Sequence, residues 1–268
     1  QNYFLERFEA PMPAAPTCNA HCLGCISLQP KGGDEQYVAA HDRIGFAPKP
    51  EELAGVAVGH IQRVGEDAVV SFGQGCEGEP LNQARELIEA VRQIRAATPL
   101  GVVNLNSNAS RPEAVRTLCE VGLDSLRIST NSARADVYKA YYRPKGYTLD
   151  QVRESGQILK ASGGYLMLNY FIFPGVTDTP AELEALSAWI REDGVDMVQL
   201  RNLNIDPEVY LASLDAVGAR DGAGEPMGIV PWLQVLRGRF PALRFGYFNP
   251  PRRRFTEPAP AVVAAVAG

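Results

Sequence analysis

Residues 101–130 read G-V-V-N-L-N-S-N-A-S-R-P-E-A-V-R-T-L-C-E-V-G-L-D-S-L-R-I-S-T, a strand–helix–strand unit. The apolar run at 101–106 predicts a strand. Residues 111–121 predict a helix with Ser110 as its N-cap, and 125–130 predict the next strand. Alternating elements joined by short connections are typical of a parallel sheet with helical crossovers.

The same alternation continues on both sides of this unit. Further strands are predicted at 67–73, 165–173 and 195–203, and further helices at 50–64, 82–97, 148–162 and 179–193. An opening strand is expected just before Cys18, where Pro11, Pro13 and Pro16 restrict it to a sheet edge. The sequence thus predicts an α/β fold, an incomplete parallel barrel of about six strand–helix units, in other words a partial TIM barrel.

Beyond residue 203 the alternation weakens. Helices are expected near 206–216 and 230–239, and the last 20 residues, rich in Pro and Ala, are expected to be poorly ordered. We therefore divide the chain into a barrel over 1–203 and a short C-terminal extension with a disordered tail over 204–268.

Composition narrows the class of protein. The chain has 268 residues, 46% of them hydrophobic, and a formal charge of −5, which provides no broad basic field for nucleic acid. Its apolar runs fall short of the roughly 18 residues that cross a bilayer, and its first residues do not resemble a signal peptide. Five cysteines, three of them within eight residues, indicate metal binding or catalysis in a reducing compartment, so we expect a cytoplasmic protein.

The three clustered cysteines lie in T-C-N-A-H-C-L-G-C, residues 17–25, with the spacing C-x3-C-x2-C. Thiolates this close together can converge on one metal centre. Zinc would need a fourth ligand, which His21 offers. A [4Fe–4S] cluster held by three cysteines instead leaves one iron open for chemistry.

This spacing at the end of a first strand resembles the signature of the radical S-adenosylmethionine (radical SAM) enzymes. The resemblance implies that Cys18, Cys22 and Cys25 ligate a [4Fe–4S] cluster whose open iron chelates S-adenosylmethionine. In that family an electron from the cluster cleaves the cofactor, and the resulting 5′-deoxyadenosyl radical abstracts a substrate hydrogen. Flavodoxin or ferredoxin is the implied electron donor. The family usually has an aromatic residue beside the adenine, immediately before the third cysteine; in this sequence that position is Gly24, for which the resemblance implies a backbone contact with the cofactor.

A second match follows the strand at 67–73. The segment S-F-G-Q-G-C-E-G-E-P-L resembles the family's Gly-Gly-Glu-Pro motif, with Glu77 in place of the first glycine. It implies cofactor contacts from Gly75, Glu77, Gly78 and Glu79. Glycine lets the backbone approach a ligand, and Glu79 can receive the cationic amino group. The alternative is an ordinary strand–helix turn, in which the carboxylate favours the helix start.

Cys76 lies inside the same segment. Its thiol is either a hydrogen-atom donor close to the radical or a small buried side chain, and the second interpretation is favoured because free cysteine is often simply buried.

Two further strand ends carry polar residues in the family's order. N-L-N-S-N ends at Asn108, which matches the asparagine of the third-strand segment, and R-I-S-T-N-S contains Ser129 and Asn131 as candidate partners of the ribose or carboxylate. Arg143 is a candidate for the cofactor carboxylate. As alternatives, these residues are ordinary cap or turn residues.

Substrate residues are expected at the same barrel mouth. Asn169 and Tyr170 belong to the fifth strand, and Gln199, Arg201 and Asn202 to the sixth. Their alternation with leucines predicts one polar and one apolar face, although a solvated or helix-facing role is the alternative. A charge such as Arg201 within a buried strand needs a partner.

The predicted function is that of a radical SAM enzyme with one cluster, acting on a small molecule or a peptide. Two alternatives remain open: an activating protein that installs a glycyl radical on a large partner, and a non-enzymatic zinc- or cluster-binding module.

Overall fold

A single parallel sheet organises the computed structural model, which describes residues 2–27, 42–74, 78–202, 206–246 and 248–257. Its strands are β1 (Glu9–Met12), β2 (Val69–Phe72), β3 (Val102–Ser107), β4 (Ser125–Thr130), β5 (Tyr165–Ile172), β6 (Met197–Asn202) and β7 (Arg244–Gly246). Neighbouring strands follow chain order and pair in parallel. Within the described residues no pairing joins β7 to β1. The predicted incomplete parallel barrel is confirmed, with a seventh strand supplied by the segment after residue 203.

Helices connect these strands in the predicted alternation. They are α1 (Pro50–Val64), α2 (Ala84–Ala97), α3 (Pro112–Val121), α4 (Ala135–Tyr142), α5 (Leu149–Ala161), α6 (Pro180–Asp193), α7 (Pro207–Asp215) and α8 (Ile229–Arg239). Short 3-10 segments lie at Gly65–Asp67, Pro80–Gln83 and Arg252–Arg254. None of the helices in the described ranges is long and apolar enough to cross a membrane. The predicted disordered tail falls largely on 258–268, outside the described residues.

The two faces of the sheet differ in polarity because side chains alternate along each strand. On β4, Leu126 and Ile128 are fully buried on the helix-facing side. Ser125, Arg127 and Ser129 belong to the opposite, inward-facing set. The apolar face holds the helices, and the polar face lines the interior of the barrel.

The curvature of the sheet is evident from one side chain that joins distant strands. Asn249 Nδ2 donates to Glu9 Oε1 on β1 at 2.7 Å, to Ser71 Oγ on β2 at 3.1 Å and to Asn106 Oδ1 on β3 at 3.2 Å. Its Oδ1 accepts a hydrogen bond from Gln199 Nε2 on β6 at 3.3 Å. Strands from both sides of the sheet therefore converge on one point, as they do in a barrel.

The proline-rich opening strand is present where an edge permits it. Pro11 lies on β1, whose partner is β2, so its missing N–H does not interrupt a central ladder. Val69 N donates to Phe8 O at 2.7 Å, and Gly73 N donates to Met12 O at 3.1 Å. These two bonds extend the β1–β2 pairing beyond the strand on both sides.

Two local predictions differ from the structure. Helix α4 was not predicted, because its sequence A-D-V-Y-K-A-Y-Y is short and rich in tyrosine; it forms because Val137, Tyr138 and Tyr141 are buried. Ser110 does not cap α3, which begins after Arg111 without a side-chain cap. The Ser110 hydroxyl instead accepts a hydrogen bond from Asn19 Nδ2 at 2.8 Å, beside the cysteine loop.

Candidate functional site

A cavity of about 530 Å³ lies between the cysteine loop and the carboxyl ends of the barrel strands. Catalytic sites of parallel barrels occupy this end. The residues that were predicted from the sequence and line this cavity are Cys18, Cys22, Gly24, Cys25, Gly78, Glu79, Asn108, Ser129, Asn169 and Arg201. The structure therefore brings candidate ligands from distant parts of the chain into one cavity.

The cysteine loop is fixed against the end of α4. His21 N donates to Tyr142 O at 3.0 Å, and Leu23 N donates to Tyr141 O at 3.0 Å. The last carbonyls of a helix have no partner within the helix, and here the loop amides satisfy them. The helix that the sequence did not predict thus positions the three cysteines.

The thiols of Cys18, Cys22 and Cys25 are reduced and partly buried. Burial and, to a smaller extent, the nearby Glu79 carboxylate raise the pKa of Cys18 to about 11. Arg43 Nη2 lies 3.7 Å from Cys25 Sγ, so a cationic side chain stands beside one of the three sulfur atoms. A protonated thiol must lose its proton to bind a metal, and the metal supplies the free energy for this loss.

The donor set fits an iron–sulfur cluster better than a single zinc ion. A zinc site would need a fourth ligand beside the three cysteines, and among the described residues no group of three His, Cys, Asp or Glu side chains is arranged to hold a single metal ion. Cysteines that hold a cubane bind different irons and do not have to meet at one point. Cys18, Cys22 and Cys25 nevertheless face the same cavity, as a cluster requires.

Glu79 is the buried carboxylate of this cavity, and its position is fixed by hydrogen bonds. Its Oε1 accepts from Leu81 N at 3.0 Å and from Ser107 Oγ at 2.5 Å, and its Oε2 accepts from Asn108 N at 2.8 Å. Desolvation raises the pKa of Glu79, and these hydrogen bonds oppose the rise. A fixed carboxylate of this kind is suited to a cationic group of a ligand.

The glycine that precedes Glu79 permits close contact with the cysteine loop. Gly78 has φ +129°, and a Cβ built there would lie 1.9 Å from Ala15 O. Glu79 N donates to Thr17 O at 2.7 Å, one residue before Cys18. A side chain at Gly78 would separate the two segments, so its conformational freedom is a requirement of the site.

Asn108 connects the third strand to the same loop. Its Nδ2 donates to Asn19 Oδ1 at 2.7 Å, while its Oδ1 accepts from Ser110 N at 3.1 Å. Asn169 on β5 accepts a hydrogen bond from Arg201 Nε at 2.9 Å. Strand pairing sets Asn169 beside Ser129, so these two polar side chains lie on the same face.

Several predicted site residues do not line the cavity. Tyr170 points to the helix side, where its hydroxyl donates to Glu182 Oε1 at 2.5 Å, and Asn202 is exposed. Both have the opposite strand parity to Asn169 and Arg201, so they cannot share their face. Asn131 is buried and donates to Tyr210 Oη at 3.0 Å.

The remaining predicted residues fall into three groups. Arg143 follows the last residue of α4, has φ 45° and lines a separate groove against α7. Gln199 is buried beneath the cavity among the inward-facing side chains. Gly75, Cys76 and Glu77 lie outside the described residues.

Sequence reasoning missed several residues that line the cavity. Arg127 precedes Ser129 by two positions on β4, so strand periodicity alone would have identified it as inward-facing. One aromatic wall of the cavity is formed by Tyr141, Tyr142 and Phe171. Gly24, at the position where the radical SAM signature usually has an aromatic residue, lines the same cavity. No local sequence signal identifies the two tyrosines, because their placement depends on α4.

Comparison with known proteins agrees with this geometry. The protein-family model that describes the Radical SAM superfamily matches residues 12–186 of this chain. No curated protein is similar enough to count as a match.

Solved structures resemble the chain at low sequence identity. Methylornithine synthase has a TM-score of 0.55 and 13% identity over 91% of this chain and 66% of its own. SuiB of Streptococcus suis bound to S-adenosylmethionine has a TM-score of 0.58 and 12% identity over 90% and 50%. The [FeFe]-hydrogenase maturase HydG has a TM-score of 0.56 and 14% identity over 92% and 53%. The chain therefore spans about half to two thirds of these structures, and the likeness concerns the fold.

Proposed function

The chain belongs to the radical SAM superfamily, and on that premise we propose that Cys18, Cys22 and Cys25 hold the [4Fe–4S] cluster beside a bound S-adenosylmethionine. Enzymes of this family use that cluster and that cofactor. When bound together, they supply a 5′-deoxyadenosyl radical that removes a hydrogen atom from a substrate. The observation that carries the proposal is that all three thiols face the cavity that contains the fixed Glu79 carboxylate.

Several residues of the cavity have a proposed task in binding the cofactor. Glu79 and the backbone at Gly78 receive the amino group of the cofactor's methionine part, because a buried carboxylate gains most from a cationic partner. Asn108 and Ser129 offer hydrogen bonds to the remaining polar groups of the cofactor. The Gly24 backbone lies beside the adenine, and the Tyr141, Tyr142 and Phe171 rings limit the access of water.

The proposed cluster on the partly buried cysteine loop must also receive electrons. We propose that a reduced flavodoxin or ferredoxin is the donor and that the reaction takes place in a reducing cytoplasm. The substrate is a small molecule or part of a peptide, held by Asn169 and Arg201 at the same mouth.

Anaerobic reconstitution with iron and sulfide tests this proposal. We expect about four irons per chain and 5′-deoxyadenosine after the addition of dithionite and S-adenosylmethionine. Cys22→Ala should lose the product and most of the iron. Cys119→Ala is the matched control, because this cysteine lies on α3 and does not line the cavity, and it should retain both. Undiminished product from Cys22→Ala would refute the ligand assignment.

A further inference from the structure

A groove of about 670 Å³ lies between α4 and α7 on the surface of the protein. Lys139 and Arg143 line it from the side of α4. Val217, just after α7, is 59% exposed, so apolar surface is open to solvent here. Exposed apolar surface rimmed by polar side chains is a feature of protein-interaction sites. The small apolar residues that line the groove from the side of α7 are Val209, Ala212, Ala216 and Val217.

The α4 side of this groove is cationic. Arg143 N donates to Lys139 O at 3.0 Å, so the two residues stand one helical turn apart. Lys145, two residues further along the chain, is exposed as they are. Within the described part of the chain, none of these three side chains forms an ion pair. We call Lys139, Arg143 and Lys145 the cationic rim.

The carboxylate that lines the groove does not neutralise the rim. Asp136 Oδ2 lies 2.7 Å from Arg134 Nη2, so its charge is already compensated. Like charges one turn apart on a helix repel each other, and an anionic partner relieves that repulsion. The chain as a whole has a formal charge of −5, which repels an acidic partner elsewhere. The position of the rim therefore determines where such a partner docks.

Backbone hydrogen bonds connect the rim to the cysteine loop. Arg143 follows Tyr142, whose carbonyl accepts from His21 N at 3.0 Å. Lys145 N donates to Asn19 O at 2.9 Å. Electron transfer between two centres slows steeply with distance, so a protein that reduces the proposed cluster has to bind close to this loop. The cationic rim meets that requirement.

We infer that the groove and its cationic rim are the docking surface of an acidic electron-transfer protein that reduces the cluster. One electron leaves this donor and enters the cluster, and no bond between the two proteins forms or breaks. A small interface with an apolar centre and a charged rim suits a transient redox complex. The inference rests on the proposed function, since it assigns the surface at which the electron donor binds.

Charge reversal tests this surface in the reconstituted enzyme. The two donors are a reduced flavodoxin of negative net charge and dithionite, a small reductant that needs no docking surface. We expect Lys139→Glu and Arg143→Glu each to lower the flavodoxin-dependent formation of 5′-deoxyadenosine about tenfold at low salt, while the dithionite-dependent formation is unchanged. Lys139→Arg retains the charge and should retain the rate. Arg85→Glu on α2, at a side chain that is 95% exposed, is the matched control and should behave as the wild type does.

Direct binding provides a readout that does not depend on turnover. In titration calorimetry with oxidised flavodoxin, the Kd should rise about tenfold in Lys139→Glu and in Arg143→Glu. The wild-type Kd should also rise with ionic strength, because salt screens exposed charges. The two variants should respond less to salt, since each has lost one of the attractive charges.

Three results would overturn the inference. The first is equal flavodoxin binding by the wild type and both variants. The second is a wild type that works with dithionite but accepts electrons from neither flavodoxin nor ferredoxin. The third is loss of the dithionite-dependent product in Lys139→Glu, because this side chain would then serve the catalytic site. Thermal unfolding identifies a variant that fails to fold, and Lys139→Gln, which removes the charge without reversing it, then decides by a smaller change in the same direction.

Iron content in the same samples separates this inference from the proposed function. Flavodoxin binding that depends on Lys139 and Arg143, in a protein that takes up no iron, would refute the function and support the docking surface. An enzyme that holds about four irons and works with dithionite, but binds flavodoxin independently of both residues, would refute the docking surface alone.

Discussion

Asn249 Nδ2 lies 2.7 Å from Glu9 Oε1, a hydrogen bond between residues 240 positions apart. It joins the segment after β7 to the first strand, across the side where no β7–β1 pairing is described. The same amide group also contacts Ser71 and Asn106. The gap in the barrel is therefore bridged by a buried side-chain network in place of a strand ladder.

The first prediction concerns this network. Asn249→Ala should lower the free energy of unfolding by about 2–4 kcal/mol, because it removes the hydrogen bonds of a fully buried amide to Glu9, Ser71 and Asn106. Guanidinium denaturation under anaerobic conditions measures the change. Asn202→Ala, on the exposed end of β6, is the control and should change it by less than about 0.5 kcal/mol. Equal effects of the two substitutions would show that the network does not stabilise the barrel.

The second prediction concerns the ion pair between α5 and α6. Arg153 Nε and Nη2 donate to the two oxygens of Asp193 at 2.9 and 2.8 Å, and the Asp193 side chain is 0% exposed. Arg153→Ala leaves this buried carboxylate poorly compensated and should cost about 2–3 kcal/mol of unfolding free energy. Arg92→Ala removes an exposed pair with Glu89 and should cost below about 0.5 kcal/mol. Denaturation curves of both variants supply the comparison, and a loss from Arg153→Ala as small as that control would contradict it.

The third prediction concerns the pH dependence of stability at Glu182. Desolvation raises the pKa of this buried carboxyl above its ordinary value of 4.5, although hydrogen bonds from Ser132, Tyr170 and Ala133 N oppose the rise. The folded state then holds the proton more tightly than the unfolded chain. The resulting contribution to stability is complete below pH 4.5 and is lost as the pH rises through the raised pKa.

Wild type should therefore lose stability relative to Glu182→Gln as the pH increases from 4.5, by at most about 1.4 kcal/mol per pH unit. Urea unfolding at a series of pH values measures the difference between the two proteins. The exposed Glu113 on α3 provides the control, since Glu113→Gln should give a nearly constant difference. If the wild type instead gains stability relative to Glu182→Gln as the pH rises, the pKa of Glu182 is lowered in the folded state and the prediction is wrong.

Local sequence signals were sufficient for most of the elements. Helix α1 and strand β4 have the predicted bounds, because each has a clear periodicity and strong end signals. The cysteine loop was likewise identified by its spacing alone, although its role as the ligand set stays a prediction. Patterns of this kind depend on neighbours within a few residues and can be read without knowledge of the fold.

The rest depends on contacts between distant residues. Helix α4 forms through burial of its aromatic face, and Asn249 finds its partners only after the barrel has curved. The sequence analysis placed both Asn169 and Tyr170 at the barrel mouth. Adjacent residues of a strand point to opposite faces of the sheet, so the two side chains cannot both face the mouth. Arg127 on β4 and Arg201 on β6 reach the same acceptor, Gln199 Oε1, only after the strands have assembled, and no local pattern specifies that assembly.

The final prediction links backbone conformation to the proposed cluster. Gly78→Ala introduces a Cβ that would lie 1.9 Å from Ala15 O, at a φ of +129° that L-residues rarely adopt. The turn must move away from the cysteine loop, which breaks the hydrogen bond between Glu79 N and Thr17 O. We expect a loss of at least about 2 kcal/mol in unfolding free energy and less than half of the wild-type iron after reconstitution.

Gly55→Ala supplies the matched control for this change. Gly55 lies in α1 with nothing within 4 Å of an added Cβ, so alanine should leave the iron content unchanged and raise stability by up to about 1 kcal/mol. Iron analysis and anaerobic denaturation of the two variants are read together. Full iron uptake by Gly78→Ala would mean that the cysteine loop keeps its geometry without this turn, and the proposed coupling between Glu79 and the cluster ligands would be wrong.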